Sequence, residues 1–223
     1  VFFYAAGFLG LASLGIWAIK EFVPKNFSPI KYRFAAIFSE LKQNKRLQYY
    51  LMGINTLGLG YGILPFVILY SDKYRNLSSN FVGTLLIAKT DGLIMAGLFL
   101  FFYAKRIRYH RMMQTMVMLG MIFPAIPWLF PHYLGSYIFC FFAGGLFLSL
   151  YHMIISGVLL EISNIHNRSI YTGIAGAGSI LPVIFPLIGG TLINFAGFNV
   201  FFIIYTFFML ISIIFIHKLD CKK

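Results

Sequence analysis

Residues 137–160 have the sequence YIFCFFAGGLFLSLYHMIISGVLL, which contains no Asp, Glu, Lys or Arg. A helix needs about 20 mostly apolar residues to cross the hydrocarbon core of a bilayer. The apolar residues here are continuous, whereas a strand of a membrane barrel would alternate apolar and polar residues with a period of two. This stretch therefore predicts a transmembrane helix in an all-α protein.

The composition of the whole chain agrees with this prediction. Its 223 residues are 60% hydrophobic and 11% charged, with a mean hydropathy of +0.83. Soluble domains carry about 25% charged residues, so a soluble enzyme, a disordered tail and a free DNA-binding domain are excluded. Seven windows are long and apolar enough to be spans: 1–19, 48–70, 81–104, 112–130, 137–160, 169–194 and 198–216.

The basic residues predict the side of the membrane that each loop faces. The net charge is +12, and segments 20–47, 105–111, 161–168 and the C-terminal tail hold 15 of the 18 Lys and Arg residues. Cytoplasmic loops are enriched in these residues. We therefore expect these four segments in the cytoplasm and Val1 on the outer side. The cations indicate topology and lipid-headgroup contacts rather than a nucleic-acid surface.

Segment 20–47 is the one long loop between the predicted spans, and part of it has a helical pattern. Ser28 and Pro29 suit the N-cap and the first position of a helix. The apolar residues that follow share one face of such a helix: Ile30, Phe34, Ile37, Phe38 and Leu41. We interpret 29–43 as an amphipathic helix in the cytoplasmic membrane interface. The alternative is a linker helix packed on protein.

The domain order follows from these segments. A single helix over 1–19 precedes the basic linker 20–47, six helices follow over 48–216, and 217–223 is a cytoplasmic tail. The chain begins at Val1 inside an apolar run that does not fit a signal peptide. We expect it to be a fragment of a longer polypeptide, with a processed N-terminus as the alternative.

Ionisable side chains inside predicted spans are candidates for function, because a charge at membrane depth costs several kcal/mol. Lys89 and Asp91 lie near the middle of 81–104. Residues two apart point to different sides of a helix, so we do not expect these two to pair directly. The functional interpretation is a counter-charge for substrate and a protonatable carboxylate, both in a protein-lined or wet interior. The alternative is a set of charges satisfied by neighbouring helices.

Other polar and helix-breaking residues mark two further spans. Asn55 precedes the glycine-rich run 58–62 and Pro65, a stretch that bends or unwinds easily and tends to line a cavity. An interhelical hydrogen bond is the alternative for Asn55. His152 is a candidate proton relay, and the alternative is a packing residue, which a lone histidine more often is.

The window 169–194 is rich in small residues and contains two prolines. Small residues let membrane helices approach closely, and prolines interrupt backbone bonding. We therefore expect a closely packed helix that can flex. The cysteines, Cys140 in a span and Cys221 in the tail, have dissimilar surroundings and predict neither a disulfide nor a metal site. With no paired carboxylates and no catalytic triad in the sequence, we expect no enzymatic activity and no cofactor.

The order of the predicted spans and the amino-acid sequence from Glu161 to Gly190 resemble the C-terminal half of a major facilitator superfamily transporter. Asn167-Arg168-Ser-Ile-Tyr-Thr-Gly173 and Pro186-Leu-Ile-Gly-Gly190 are similar to the loop before the family's eleventh helix and to that helix. In this correspondence 1–19 is the sixth helix, and 48–216 holds helices seven to twelve. The loop 105–111 keeps the family's basic charge but lacks its Asp and Gly.

The resemblance implies a secondary transporter in which two six-helix bundles rock around a central site. Its partners would be the lipid bilayer, a small-molecule substrate, protons or another coupling ion, and the N-terminal half of the same polypeptide. Helices seven, eight, ten and eleven commonly line the site in this family. When this is applied to the corresponding helices of this sequence, the resemblance implies a substrate and proton pathway made of Asn55, Tyr61, Lys89, Asp91, His152, Tyr171 and Thr172. The corresponding gating and packing residues are Gly58, Gly62, Gly173, Gly176, Pro182, Pro186, Gly189 and Gly190.

Asp91 is the candidate for proton coupling, because a carboxylate in a low-dielectric cavity takes up a proton more readily than one in water. A seven-helix receptor is the rival function, since the number of spans and the topology fit it. Ala104-Lys105-Arg106 stands, however, where such receptors have an acidic-Arg-aromatic triplet. The bias towards Ile, Phe, Lys and Asn is typical of AT-rich bacterial genomes and predicts a bacterial plasma membrane.

Overall fold

The computed structural model describes residues 39–74, 78–103, 109–163 and 168–219, together with Gly10. Apart from Gly10, the predicted span 1–19 lies outside the described residues, as do linker residues 20–38, with most of the amphipathic helix 29–43, and the tail residues 220–223. Residues 39–43 are helical, as the amphipathic pattern predicts for that end. Eight helices follow in the described ranges: α1 Lys45–Leu57, α2 Leu59–Gly62, α3 Leu64–Tyr74, α4 Ser79–Tyr103, α5 Tyr109–Leu129, α6 Leu134–Ile162, α7 Arg168–Gly178 and α8 Ile180–Lys218.

Five stretches of these helices are long and apolar enough to cross a membrane. They are Lys45–Tyr74, Asn80–Tyr103, Tyr109–Leu129, Leu134–Ile162 and Ile170–Lys218. The all-α prediction is confirmed for the described part of the chain, and these five stretches are compatible with a multi-pass membrane protein. The predicted tail 217–223 begins inside a helix, because α8 continues to Lys218.

The last of these stretches is a helical hairpin rather than one straight helix. Its 49 residues would extend about 73 Å as a straight helix, more than twice the hydrocarbon thickness. Gly197 has a φ of 81°, a left-handed conformation that glycine adopts without the penalty of a Cβ. The ring of Phe185 stacks on Phe201 at 5.5 Å, although residues 16 apart in a straight helix are about 24 Å apart. The chain therefore reverses at Gly197, between the predicted windows 169–194 and 198–216.

The stretch Lys45–Tyr74 is interrupted twice, at Gly58 and at Ile63. At each interruption the backbone forms an i→i+3 hydrogen bond, from the amide of Tyr61 to the carbonyl of Gly58 and from that of Phe66 to that of Ile63. Such bonds tighten a helix locally. Pro65 adds to the second interruption because it has no N–H to donate to the carbonyl of Tyr61. This glycine-rich span is therefore divided into three helical segments, although Gly58 and Ile63 themselves keep right-handed helical backbone angles.

The helices α4 and α6 approach each other closely at two glycines. A Cβ on Gly92 would collide with the carbonyl oxygen of Phe142, and a Cβ on Gly145 would collide with that of Lys89. The backbones of α4 and α6 are in direct contact at these two positions, and only glycine, which has no Cβ, allows so short a distance between them. The contact fixes the position of α4 against α6, which in turn carries one wall of the cavity described below.

Candidate functional site

A cavity of about 660 Å³ lies among the segmented stretch α1–α3, α6 and the junction between α7 and α8. Its volume is within the usual range for small-molecule sites, about 300–1,000 Å³. Its lining is mainly apolar. Aromatic side chains and prolines make up much of it: Tyr50, Tyr61, Tyr151, His152, Pro65, Pro182 and Pro186.

The α7–α8 junction is a break in the helix at Ser179, and Asn55 bridges it. The amide nitrogen of Asn55 donates to the carbonyl oxygen of Gly178 at 2.7 Å, and its Oδ1 accepts from the backbone N–H of Leu181 at 2.9 Å. Pro182 has no N–H, so the carbonyl of Gly178 has no partner from its own helix. The Asn55 side chain thus satisfies one backbone group on each side of the break. This agrees with the interhelical hydrogen bond considered for Asn55.

The two interrupted stretches touch at their interruptions. A Cβ on Gly58 would collide with the ring of Pro182 and would lie 2.8 Å from the hydroxyl of Tyr151. That hydroxyl donates to the carbonyl oxygen of Ile54 at 3.0 Å, one turn before the first interruption. Ile54, Tyr151 and Pro182 also line the cavity. The interruptions of the two helical stretches therefore lie against each other at the wall of the cavity.

Tyr61 and His152 form an aromatic corner of the cavity. Their ring centroids are 5.9 Å apart and the rings are nearly perpendicular, at 87°. The Tyr61 side chain is 50% exposed, and His152 is exposed as well. Within the described part of the chain, neither the Tyr61 hydroxyl nor the His152 ring has a hydrogen-bond partner. Both groups can therefore bind a solute directly.

The hydroxyls of Ser156, Thr172 and Ser179 also lie on the cavity wall, but each donates to the carbonyl four residues earlier in the chain. The acceptors are His152, Arg168 and Ala175, at 2.8, 2.9 and 2.9 Å. These hydroxyls can still accept a hydrogen bond. They have no donor proton to spare.

The structure brings some of the predicted pathway residues together and separates others. Tyr61, His152 and Thr172 line the cavity, with Asn55 behind its wall at the helix break. Lys89 and Asp91 do not line it; they lie on α4, where Lys89 is half-buried and Asp91 is exposed. Among the described residues neither charge has a hydrogen bond or an ion pair.

The predicted gating and packing residues differ in their surroundings. Gly62, Gly176, Pro182 and Pro186 line the cavity, and a Cβ on Gly189 would lie 2.7 Å from Phe66. A Cβ on Gly173, Gly176 or Gly190 would meet no described atom within 4 Å. The close packing expected of the small residues in 169–194 is therefore seen at Gly189 and at Gly178, where a Cβ would lie 2.9 Å from Leu51, whereas Gly173, Gly176 and Gly190 have room for a Cβ.

Tyr171 is buried and faces the end of the linker rather than the cavity. Its hydroxyl donates to Oε1 of Glu40 at 2.5 Å and accepts from the amide nitrogen of Asn44 at 2.6 Å. Asn44 is also the N-cap of α1, with its Oδ1 accepting from the N–H of Leu47. No local pattern in the sequence predicts this role of Glu40, whereas Asn44, an Asn placed directly before an apolar helical run, is recognisable as an N-cap.

No family model matches the sequence, and no curated protein matches it.

Proposed function

We propose that the chain forms the C-terminal bundle of a secondary transporter that moves a small solute by alternating access, with protons as the coupling ion. The resemblance to the major facilitator superfamily carries this function, and the geometry of the cavity supports it. In this proposal the protein spans a bacterial plasma membrane with its C-terminus in the cytoplasm. It performs no covalent chemistry and needs no cofactor or metal.

The main supporting observation is that two interrupted helices meet at the wall of the cavity. Backbone without regular bonding is tolerated at membrane depth only where protein covers it or where it lines a cavity. Transporters build substrate sites from such discontinuous helices near the bilayer midplane. The contact between Gly58 and Pro182 places both interruptions beside one pocket. A change of angle at either would alter the shape of that pocket.

A sidedness experiment tests this function without knowledge of the substrate. A Ser156→Cys reporter in the complete polypeptide is exposed to a membrane-impermeant thiol reagent, first in intact cells and then in inverted vesicles. Alternating access predicts labelling from both sides, because the same position faces each compartment in turn. A seven-helix receptor predicts labelling from one side only, and that result would overturn the transporter. The control is the same protein with Ser156 unchanged. In it Cys140 is buried, and Cys221 is replaced by Ser to remove its thiol.

A further inference from the structure

We infer that the cavity selects a planar aromatic or heteroaromatic solute without net charge. This inference rests on the proposed function and specifies the substrate class of the same site. It follows from three properties of the lining: the arrangement of its rings, the absence of charged side chains and the small number of polar groups available to a solute.

The rings form a slot suited to a flat molecule. Tyr61 and His152 stand at 87° to each other, and the prolines at 65, 182 and 186 supply apolar surface to the same cavity. A planar ring can stack on one aromatic face while its edge meets the other ring, which are the two arrangements that aromatic pairs prefer. The volume of about 660 Å³ accommodates such a solute with room to reorient.

The lack of acidic and basic side chains in the lining disfavours an ionised solute. None of the lining side chains in the described part of the chain is Asp, Glu, Lys or Arg. Lys89 and Asp91, the two ionisable residues of the neighbouring span, lie outside the lining. An ion bound against this wall would lose hydration and gain no counter-charge from an Asp, Glu, Lys or Arg of the lining, which is costly.

The small number of lining groups that are free to donate a hydrogen bond disfavours a sugar. The hydroxyls of Tyr50 and Tyr151 donate to the backbone carbonyls of Ile155 and Ile54. The groups free to donate are the Tyr61 hydroxyl and the His152 ring, whereas the other lining hydroxyls have donated their protons and can only accept. A solute with many hydroxyls would leave most of its hydroxyl oxygens without a donor, each at a free-energy cost. A heteroaromatic ring with one N–H or one ring nitrogen matches this supply.

The test measures how well three probes protect the Ser156→Cys reporter from alkylation in the complete polypeptide. The probes are indole, which is flat and neutral, benzoate, which is flat and anionic, and glucose, which is neutral and polyhydroxylated. Indole at about ten times its Kd should slow alkylation roughly ten-fold, because only the empty cavity reacts. Benzoate and glucose should not slow it. A Thr84→Cys reporter on α4 detects any general effect of indole on the membrane and should stay unchanged.

Substitutions inside and outside the cavity then show where indole binds. Tyr61→Ala and His152→Ala should each raise the Kd for indole roughly three- to ten-fold, the size of one aromatic contact. Tyr133→Ala and His132→Ala remove the same side chains outside the cavity and should leave the Kd unchanged. Equal protection by benzoate overturns the claim about charge, and protection by glucose or by none of the probes overturns the aromatic class. In each of these cases two-sided labelling of the reporter would still support the transporter.

Discussion

The side-chain amide of Asn55 donates to the one carbonyl, that of Gly178, which Pro182 deprives of its helical partner. The same amide accepts from the N–H of Leu181 on the far side of the break. One side chain of α1 thus replaces hydrogen bonds that a continuous helix would make across residues 178–182. The interruption at Ser179 is therefore held by a residue from another helix, and any movement there must involve α1.

Replacing Asn55 by Ala should lower the free energy of unfolding by about 2 kcal/mol, because the partly buried carbonyl of Gly178 and the more exposed N–H of Leu181 both lose their partner. Thermal or denaturant unfolding in detergent micelles measures the change. Asn199→Ala is the matched control. It removes an exposed hydrogen bond from the indole N–H of Trp128 and should cost less than about 1 kcal/mol. Equal losses in the two variants would show that Asn55 has no special role at the break.

A double-mutant cycle tests the link between Asn55 and Pro182 directly. Pro182→Ala restores an N–H that can donate to the carbonyl of Gly178, so Asn55→Ala should be less destabilising in that background, by about 1 kcal/mol. Additive effects of the two substitutions would contradict this explanation of the contact. The readout is the unfolding free energy of the four proteins.

The sequence predicted most of the helices but only part of the site. Continuous apolar runs located the described helices, and the glycine-rich run 58–62 indicated where one of them is interrupted, because these signals are local in the chain. The pairing of Tyr171 with Glu40 and Asn44 joins residues more than 120 positions apart, and no periodicity reveals such a contact. Likewise, helical spacing placed Lys89 and Asp91 on different sides of α4. It could not show that the aromatic corner of the cavity would come from Tyr61 and His152.

Gly92→Ala should be strongly destabilising, by about 2 kcal/mol or more, because its Cβ would collide with backbone rather than with a movable side chain. Gly97→Ala on the same helix is the control, since a Cβ there meets no described atom within 4 Å. Alanine favours a helix over glycine by about 1 kcal/mol, so the control should be neutral or slightly stabilised. Similar unfolding temperatures for both variants would argue against the close approach of α4 and α6.

Tyr171→Phe should loosen the junction between the linker and α7, because it removes the hydroxyl that joins Glu40 to Asn44. A hydrogen bond to a charged group contributes about 1.5–3 kcal/mol. Amide hydrogen exchange over residues 39–44 should therefore become faster, while exchange in α6 stays unchanged. Tyr133→Phe alters an exposed tyrosine and serves as the control. Unchanged exchange at 39–44 would mean that the hydroxyl contributes little to this contact.

In the transporter proposed above, Asp91 and His152 should have separate roles. Asp91→Asn should abolish proton-driven transport while binding in the cavity persists, because Asp91 lies outside the cavity lining and is the carboxylate assigned to coupling. His152→Gln should weaken solute binding several-fold and leave the response to a proton gradient intact, since His152 contacts Tyr61 at the aromatic corner. The measurements are uptake driven by an imposed pH gradient in proteoliposomes and indole protection of the Ser156→Cys reporter. If instead His152→Gln removed the proton drive and Asp91→Asn did not, the coupling group would lie inside the cavity and Asp91 would have no part in it.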